Sequence, residues 1–328
     1  MLKVAQIGIG YWGPNLLRNL VNNKNISVMM VSDKSAERRA FVNNKYPDIT
    51  VTDNNDLIFK SSDIDAVVIA TPVISHFDLS MQALRSGKHV LVEKPMASKV
   101  KDVRQIGDLA KENDLVVMVG HTFLFNSAVR HVKSLIDSRE LGDIRYIYSQ
   151  RVNLGRIRND VDALWNLAPH DISIIQYWLG DSEPATVNRQ GMAYVQKGID
   201  DVVFLNITYP NGVLANIHVS WLDPHKIRRM TIVGSEKMVV YDDIAKDKII
   251  IYDKGIDRIA VLGENMDFDN PGTFTFDNRS GDEIIPKIDW VEPLKTEIEH
   301  FVDCIKNGTD CITGPSHAAK VVHILERA

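Results

Sequence analysis

The chain has 328 residues, of which 45% are hydrophobic and 25% charged, and its net charge is −5. This length favours two domains, and the composition is that of an ordinary globular protein rather than a disordered or fibrous one. The small negative charge argues against nucleic acid or an anionic membrane as a partner, so we expect neither. Cys304 and Cys311 are too few for a disulfide scaffold or a zinc site, which predicts no bound metal.

The N-terminus leads directly into an apolar strand pattern, without the segments of a signal peptide. The sequence also contains no run of about eighteen apolar residues, the length that a membrane-spanning helix needs. We therefore expect a cytoplasmic protein.

Residues 1–122 alternate short apolar runs with helical patterns. The runs are KVAQIG, ISVMMVSD, DAVVIAT, KHVLVEK and DLVVMVG. They lack polar alternation, which is typical of strands that are buried on both faces. Strands that alternate with helices predict an α/β domain with a parallel, doubly wound sheet over residues 1–122.

Residues 123–328 contain long segments in which apolar and polar residues alternate, and Asn211-Gly212 between two of them predicts a β-hairpin. We predict an α+β domain with a large, mostly antiparallel open sheet. Its second face must also be covered, which favours a homodimer or homotetramer. The stretch 263–289, rich in Asp, Asn, Gly and Pro, is predicted to be a long loop or irregular edge. Two helices are predicted near 292–306 and 316–327.

The motif GIGYWG, residues 8–13, lies between the first strand and the first helix. In this context Gly8 permits a tight turn and Gly10 lets a pyrophosphate approach the backbone. Gly13 lets helix and strand pack closely. The motif therefore predicts a dinucleotide site, the alternative being a plain strand-to-helix turn.

Asp33 ends the second strand and is placed to accept both ribose hydroxyls of an adenosine, which favours NAD over NADP. The alternative role for Asp33 is a helix cap. Lys34 and Arg38 beside it are able to tolerate a 2′-phosphate, although Arg38 is equally suited to lie on the adenine.

Two later strands end in ATPVISH and LVEKP. Ligands of such sheets bind beyond the carboxyl ends of the strands, so Thr71, Pro72, Glu93, Lys94 and Pro95 should border the cofactor crevice. Desolvation after a buried strand would lower the pKa of Lys94 toward a range useful for proton transfer. A surface salt bridge with Glu93 is the open alternative.

Together, GIGYWG, Asp33, ATPVISH, VEKP and LAPHDISIIQYWLG resemble the glucose-fructose oxidoreductase, inositol dehydrogenase and MocA (GFO/IDH/MocA) family along the whole chain. The resemblance implies an NAD-binding Rossmann domain followed by a substrate domain whose sheet mediates oligomerisation. It also implies that Lys94 and His170 flank the substrate carbon as an acid–base pair, with either one as the proton acceptor. The predicted cofactor-binding residues are Gly8, Gly10, Tyr11, Trp12, Gly13, Asp33, Lys34, Arg38, Thr71, Pro72, His76, Glu93, Lys94, Pro95 and His121.

Many members of this family have an aspartate four residues before the histidine, where this chain has Asn166. Because an amide cannot act as a base, Asp171 is considered as its substitute. Asn166 is either a helix N-cap, with Pro169 in the first turn, or a substrate ligand. The same departure motivates a second class of function, a non-catalytic NAD-binding regulator.

Three arginines precede the histidine and could hold a diphosphate bidentately or be solvated charges. The segment RVNLGRIRNDVDALWNLAPHD resembles the branch of the family that oxidises UDP-N-acetylglucosamine, or its uronic acid, at the 3-hydroxyl. The resemblance implies such a substrate, with a free sugar or inositol as the alternative. Trp165 either forms an apolar wall of the site or packs in the core. The predicted substrate-binding residues are Arg151, Arg156, Arg158, Trp165, Asn166 and Asp171.

Overall fold

The structure, a computed structural model, describes residues 1–260 and 274–328. It consists of two compact units. The first unit contains residues 1–127, 172–177 and 290–327. The second contains residues 128–171 and the described residues of 178–289, together with Ala328. Among the described residues, no helix combines the length and the apolar character that a membrane crossing requires.

The first unit is built on a six-stranded parallel sheet in the order β3-β2-β1-β4-β5-β6. Its strands are β1 (Leu2–Ile7), β2 (Ile26–Ser32), β3 (Thr50–Thr52), β4 (Ala66–Ile69), β5 (His89–Glu93) and β6 (Val117–Gly120). All five predicted strands are present, and every residue of β4 and β6 is buried, as the continuous apolar runs require. The short edge strand β3 was not predicted.

Helices join the strands and cover the sheet. They are α1 (Gly13–Asn22), α2 (Ala36–Lys45), α3 (Asp56–Lys60), α4 (His76–Arg85) and α5 (Val100–Glu112). Ile9, Leu17 and Val31 belong to one buried cluster, which fastens the glycine turn and α1 to the sheet. The predicted doubly wound parallel sheet is therefore confirmed.

The last two helices, α8 (Pro293–Asn307) and α9 (Pro315–Arg327), lie in the first unit, whereas the sequence analysis assigned them to the second domain. Helix α9 packs on α5 and β6, and α8 packs on α1. Ile298, Phe301 and Val321 are fully buried there, because these amphipathic helices must cover their apolar faces.

The second unit contains a sheet in the order β14-β13-β12-β11-β7-β10-β9-β8. Its strands are β7 (Ile144–Val152), β8 (Thr186–Met192), β9 (Val202–Thr208), β10 (Leu214–Ser220), β11 (Ile227–Gly234), β12 (Met238–Asp242), β13 (Ile249–Ala260) and β14 (Phe274–Ile284). The β7/β10 pair is parallel and the other pairs are antiparallel, so the prediction of a mostly antiparallel sheet is confirmed. The predicted hairpin joins β9 to β10, with Gly212 at φ 83°. The chain also contains the helices α6 (Ser127–Asp137) and α7 (Ala163–Trp178), and two short 3-10 helices at Val73–Ser75 and Thr122–Phe125.

Of the two alternatives predicted for 263–289, a long loop was wrong over residues 274–284, whereas an irregular edge agrees with the register shift in the β13/β14 pair. Residues 274–284 form β14, which pairs antiparallel with β13 at the edge of the sheet. The turn-forming residues of this segment predict a loop. The strand forms because its backbone pairs with β13, and composition does not reveal such pairing. Residues 263–273 lie outside the described residues.

Candidate active site

The glycine turn connects β1 to α1, and the space that a side chain would find differs at each of its three glycines. Gly8 has φ 97°, and a Cβ on it would lie 2.5 Å from the carbonyl oxygen of Ala70. A Cβ on Gly13 would lie 2.6 Å from the carbonyl oxygen of Gly8. A Cβ on Gly10 would meet no atom within 4 Å, so the backbone there presents an open face.

The beginning of α1 adds a favourable environment for an anion at this turn. The N-cap residue, Trp12, makes no side-chain cap hydrogen bond to the helix. Pro14 has no N–H, and the N–H of Asn15 donates to the carbonyl oxygen of Trp12 at 2.9 Å. The helix dipole and the N–H of Gly13 are therefore what this end of α1 offers a bound phosphate. The open backbone at Gly10 and the start of α1 together fit the pyrophosphate of a dinucleotide.

Gln6, a buried polar residue in β1, stabilises the glycine turn by hydrogen bonds. Its Nε2 donates to the carbonyl oxygens of Gly8 and Gly13, at 2.9 Å in both cases. This residue was missed by the sequence analysis. The signal available was a lone amide inside an apolar strand, which must find hydrogen-bond partners when buried.

Asp33 lies beside the glycine turn, as predicted. One carboxylate oxygen accepts from the N–H of Ile9 at 2.7 Å and the other accepts from the N–H of Ser35 at 2.8 Å. The side chain that caps α2 is that of Ser35. Lys34 donates to the carbonyl oxygen of Asp53 at 2.9 Å, and Arg38 is exposed on α2.

His76 connects the loops that follow β4 and β5. Its ring nitrogens lie 2.8 Å from the carbonyl oxygens of Thr71 and Pro95. The imidazole is buried, and burial lowers the pKa of His76. The structure therefore brings together Thr71, His76 and Pro95, while Pro72 is exposed between them.

Glu93 and Lys94 lie at the carboxyl end of β5, both partly buried. Burial raises the pKa of Glu93 to about 7, opposed by the charge of Lys94 and by a hydrogen bond from the Trp12 side chain. The Lys94–Pro95 peptide is cis. Glu93 thus links the glycine turn to the loop that carries Lys94, while Tyr11 is exposed at the turn.

A buried group on α8 was not predicted. Glu297 is fully buried and accepts a hydrogen bond from the Thr122 hydroxyl at 2.8 Å. Burial, followed by the charge of Glu93, raises the pKa of Glu297 well above its usual value. An acid on the apolar face of an amphipathic helix was the available signal.

His121 follows β6 and is buried edge-on to the His317 ring, with ring centroids 5.4 Å apart. Burial, with smaller effects from His317 and Lys94, lowers the pKa of His121 well below its usual value. In the first unit, the charge of Lys94 therefore acts on Glu93 and on His121, and the charge of Glu93 acts on Glu297.

Arg151 and Asp171, both predicted to bind substrate, form a buried ion pair within the second unit. Arg151 Nε lies 2.7 Å from Asp171 Oδ2, and Ser149 donates to Asp171 Oδ1 at 2.9 Å. The exposed fractions of Arg151 and Asp171 are 4% and 1%. Both alternatives for Arg151, diphosphate ligand and solvated charge, are therefore wrong, and Asp171 is engaged by Arg151 instead of substituting for an acid at position 166.

The other two arginines are exposed in the segment between β7 and α7. Arg158 Nε lies 2.8 Å from Asp160 Oδ1, and both side chains of this pair are about half exposed. Arg156 lies two residues before Arg158 in the same segment. Solvent access at both positions leaves them open to a ligand.

Asp162 caps α7, because its Oδ1 accepts from the N–H of Trp165 at 2.9 Å. Asn166 lies inside the helix, so its prediction as N-cap was wrong. Its Oδ1 accepts from Trp221 Nε1 at 3.2 Å. Pro169 is likewise in the helix interior rather than in the first turn.

Trp165 and His170 are partly buried on α7. His170 belongs to the second unit and Lys94 to the first. Their assignment as an acid–base pair stays a prediction.

Two family models match the chain. The model of an oxidoreductase family with an NAD-binding Rossmann fold matches residues 2–121, and the GFO/IDH/MocA C-terminal domain model matches residues 129–240. Together they cover more than half of the chain, so the chain belongs to the GFO/IDH/MocA oxidoreductase family. The predicted family and its NAD-binding Rossmann fold are thereby confirmed.

Two curated relatives are similar to part of the chain. An uncharacterized oxidoreductase of Streptococcus pneumoniae is 29% identical over an alignment of 226 positions, which covers 64% of this chain and 60% of that protein. The UDP-N-acetylglucosamine 3-dehydrogenase of Acidithiobacillus ferrooxidans is 28% identical over 195 residues, which are 59% of this chain and 60% of that protein. The matches thus span 60% of the length of these two curated relatives.

The fold also matches a solved structure, that of GenD2 from gentamicin A biosynthesis in complex with NAD. It aligns with a TM-score of 0.82 and 20% identity, covering 100% of this chain and 93% of that chain. At this identity the likeness shows the fold.

Proposed function

We propose that this protein is an NAD-dependent dehydrogenase that oxidises a secondary hydroxyl of a sugar. We further propose a UDP-N-acetylglucosamine-type nucleotide sugar, or its uronic acid, as the substrate and its 3-hydroxyl as the reacting group. The observation that carries the proposal is the open backbone face at Gly10 beside the Asp33 carboxylate, in a chain of this oxidoreductase family.

The residues of the first unit fit NAD. Gly10 leaves room for the pyrophosphate, and the start of α1 favours its charge. Asp33 is suited to accept from ribose hydroxyls and to repel a 2′-phosphate, which favours NAD over NADP. When bound, NAD supplies the hydride acceptor for oxidation of the carbinol carbon.

Lys94 and His170 are proposed as the acid–base pair. Lys94 follows β5 at the carboxyl end of the sheet, where ligands of such folds bind. Burial is the main cause of the lowered pKa of His76 and His121, and the positive charge of Lys94 adds to it in both. In the proposal Lys94 polarises the substrate oxygen and His170 takes the hydroxyl proton, or the two exchange roles.

Arg156 and Arg158 are proposed to bind the diphosphate of the nucleotide sugar. Both are exposed, and guanidinium groups bind phosphate oxygens bidentately. Arg158 would exchange its contact with Asp160 for the ligand. The 28% identity to a UDP-N-acetylglucosamine 3-dehydrogenase supports this substrate class.

The test is NADH formation on incubation with NAD and a panel of UDP-N-acetylglucosamine, its uronic acid, free N-acetylglucosamine and inositol. Lys94→Ala and His170→Phe should each abolish turnover, while the exposed control Lys101→Ala should retain it. Tight NAD binding without turnover on any of these compounds would instead indicate a non-catalytic regulator.

The diphosphate contact has its own test. The double variant Arg156→Ala/Arg158→Ala should raise KM for the nucleotide sugar by about 10-fold or more, because charge-assisted hydrogen bonds contribute about 1.5–3 kcal/mol each. The exposed control Arg145→Ala should leave KM unchanged. An unchanged KM in the double variant would refute the diphosphate site and favour a free sugar or inositol.

A further inference from the structure

The end of α8 and the loop that follows it carry three side chains with metal-binding atoms. His300 and Cys304 are four residues apart on α8, and Cys311 lies in the loop before α9. One ligand atom from each residue lies within 4.8 Å of the others. Cys304 and Cys311 are the only two cysteines of the chain, and the fold brings both to the same histidine.

The spacing of these atoms fits a tetrahedral cation. With Zn–S near 2.3 Å and Zn–N near 2.0–2.1 Å, a tetrahedral site has S···N edges of about 3.6 Å and S···S edges of about 3.8 Å. Cys304 Sγ lies 3.4 Å from His300 Nε2. All three edges fall within the 4.8 Å limit, so only small movements of the side chains are needed.

We propose that His300, Cys304 and Cys311 bind one thiophilic divalent cation, Zn²⁺, with a solvent molecule as the fourth ligand. Two thiolates and an imidazole are the donor set that zinc prefers. The site uses none of the residues in the proposed dehydrogenase function. The sequence analysis predicted no zinc site because it counted only the cysteines. The third ligand, His300, lies one helical turn before Cys304 on α8.

The loop that carries Cys311 is held in place before any ligand binds. Gly308 ends α8 in the left-handed conformation, with φ 69°. The Asp303 carboxylate accepts from the Thr309 hydroxyl, and the carbonyl oxygen of Thr313 accepts from the N–H of Val119 at 2.9 Å. These contacts fix both ends of the loop, which reduces the conformational cost of assembling the site.

His300 presents a lone pair on the nitrogen that faces the sulfur atoms. The N–H of Ile312 donates to His300 Nε2 at 3.2 Å, so this nitrogen is the acceptor of the ring. A bound cation would accept the lone pair of His300 Nε2 and replace the hydrogen bond from the N–H of Ile312. Cys304 is buried, whereas His300 and Cys311 are partly exposed and leave a path for the cation and the solvent ligand.

The test uses the full chain, reduced and freed of metal with a chelator, and titrated with Co²⁺ alone. We expect a sulfur-to-cobalt charge-transfer band that saturates at one Co²⁺ per chain and disappears when Zn²⁺ is added. Zn²⁺ should also raise the midpoint of thermal unfolding, because it binds only the folded site.

Matched variants separate this site from adventitious binding. Cys311→Ser, at a partly exposed position, and Cys304→Ser should each weaken Zn²⁺ binding by more than about 100-fold, since loss of an outer-shell partner alone costs about 10–100-fold. The exposed control His225→Gln should bind Zn²⁺ as the unchanged chain does.

Three results would overturn the proposal. They are the absence of a charge-transfer band, a band of unchanged affinity in Cys311→Ser, and loss of binding in His225→Gln. Formation of a Cys304–Cys311 disulfide with hydrogen peroxide, in a chain that binds no Co²⁺, would assign the two thiols to redox chemistry instead.

Discussion

The substitution Gly10→Ala separates cofactor binding from folding. The added methyl group meets no protein atom within 4 Å, and Gly10 does not have a left-handed φ. Alanine therefore fits the folded chain and reduces the conformational entropy of the unfolded chain. We expect the free energy of unfolding without NAD to rise by about 0.4–1 kcal/mol.

The same methyl group occupies the face that a pyrophosphate is expected to approach. We therefore expect the Kd for NAD to rise by about 10–100-fold, which corresponds to about 1.4–2.7 kcal/mol of lost binding free energy. Stability and cofactor affinity would change in opposite directions. A purely structural role for Gly10 does not predict that combination.

Denaturant unfolding without NAD and calorimetric titration with NAD measure the two effects. Gly8→Ala is the matched comparison, because its Cβ would lie 2.5 Å from the carbonyl oxygen of Ala70 at φ 97°. That variant should lose both stability and NAD affinity. A Gly10→Ala variant that is less stable and binds NAD with unchanged Kd would refute the reasoning.

Three further predictions concern charged groups. Asp171→Asn leaves the Arg151 guanidinium buried without its carboxylate, so the free energy of unfolding should fall by about 3–5 kcal/mol in denaturant titrations. Asp160→Asn, at an exposed ion pair, should cost less than about 1 kcal/mol, and equal losses would contradict the argument. Because the pKa of Glu93 is raised from 4.5 to about 7, the native state retains a proton that the unfolded state releases, and stability is lost as pH rises through this range. The free energy of unfolding should fall by about 3 kcal/mol, and Glu93→Gln should remove this fall. If the unchanged chain and the Glu93→Gln variant give parallel curves of unfolding midpoint against pH, the Glu93 carboxyl is not the cause. Asp33→Asn removes the charge that opposes a 2′-phosphate, so the affinity for NADP relative to NAD should rise by about tenfold, or about 1.4 kcal/mol. Binding titrations with both cofactors measure this ratio, and an unchanged ratio would show that Asp33 does not select the cofactor.

The glycine turn of the first unit was predictable because its determinants are local. The strand, the three glycines and the following helix are contiguous, so spacing alone places Gly8, Gly10 and Gly13. Asp33 follows by the regular length of one strand–helix–strand unit. The structure adds to this prediction the hydrogen bond between Asp33 and the N–H of Ile9.

The contacts of the residues predicted to bind substrate were less predictable, because these side chains find partners that are distant in sequence. Arg151 and Asp171 are 20 residues apart and pair in the core, although each alone resembled a ligand group. Asn166 bonds Trp221, which is 55 residues away. Isolated polar residues in a sequence do not reveal whether they are buried, and burial decides whether they pair or bind a ligand.

The sequence by itself determined the parallel and antiparallel sheets and the dinucleotide turn, since periodicity and glycine spacing are local properties of the chain. The family followed from the resemblance of its motifs to those of known members. Only the tertiary structure decided that the last two helices complete the first unit and that Glu297 lies buried near Glu93. It also decided that His300 joins the two cysteines. The physical reason is that a side chain's charge, its partners and its exposure depend on which elements pack around it, and one-dimensional patterns do not contain that information.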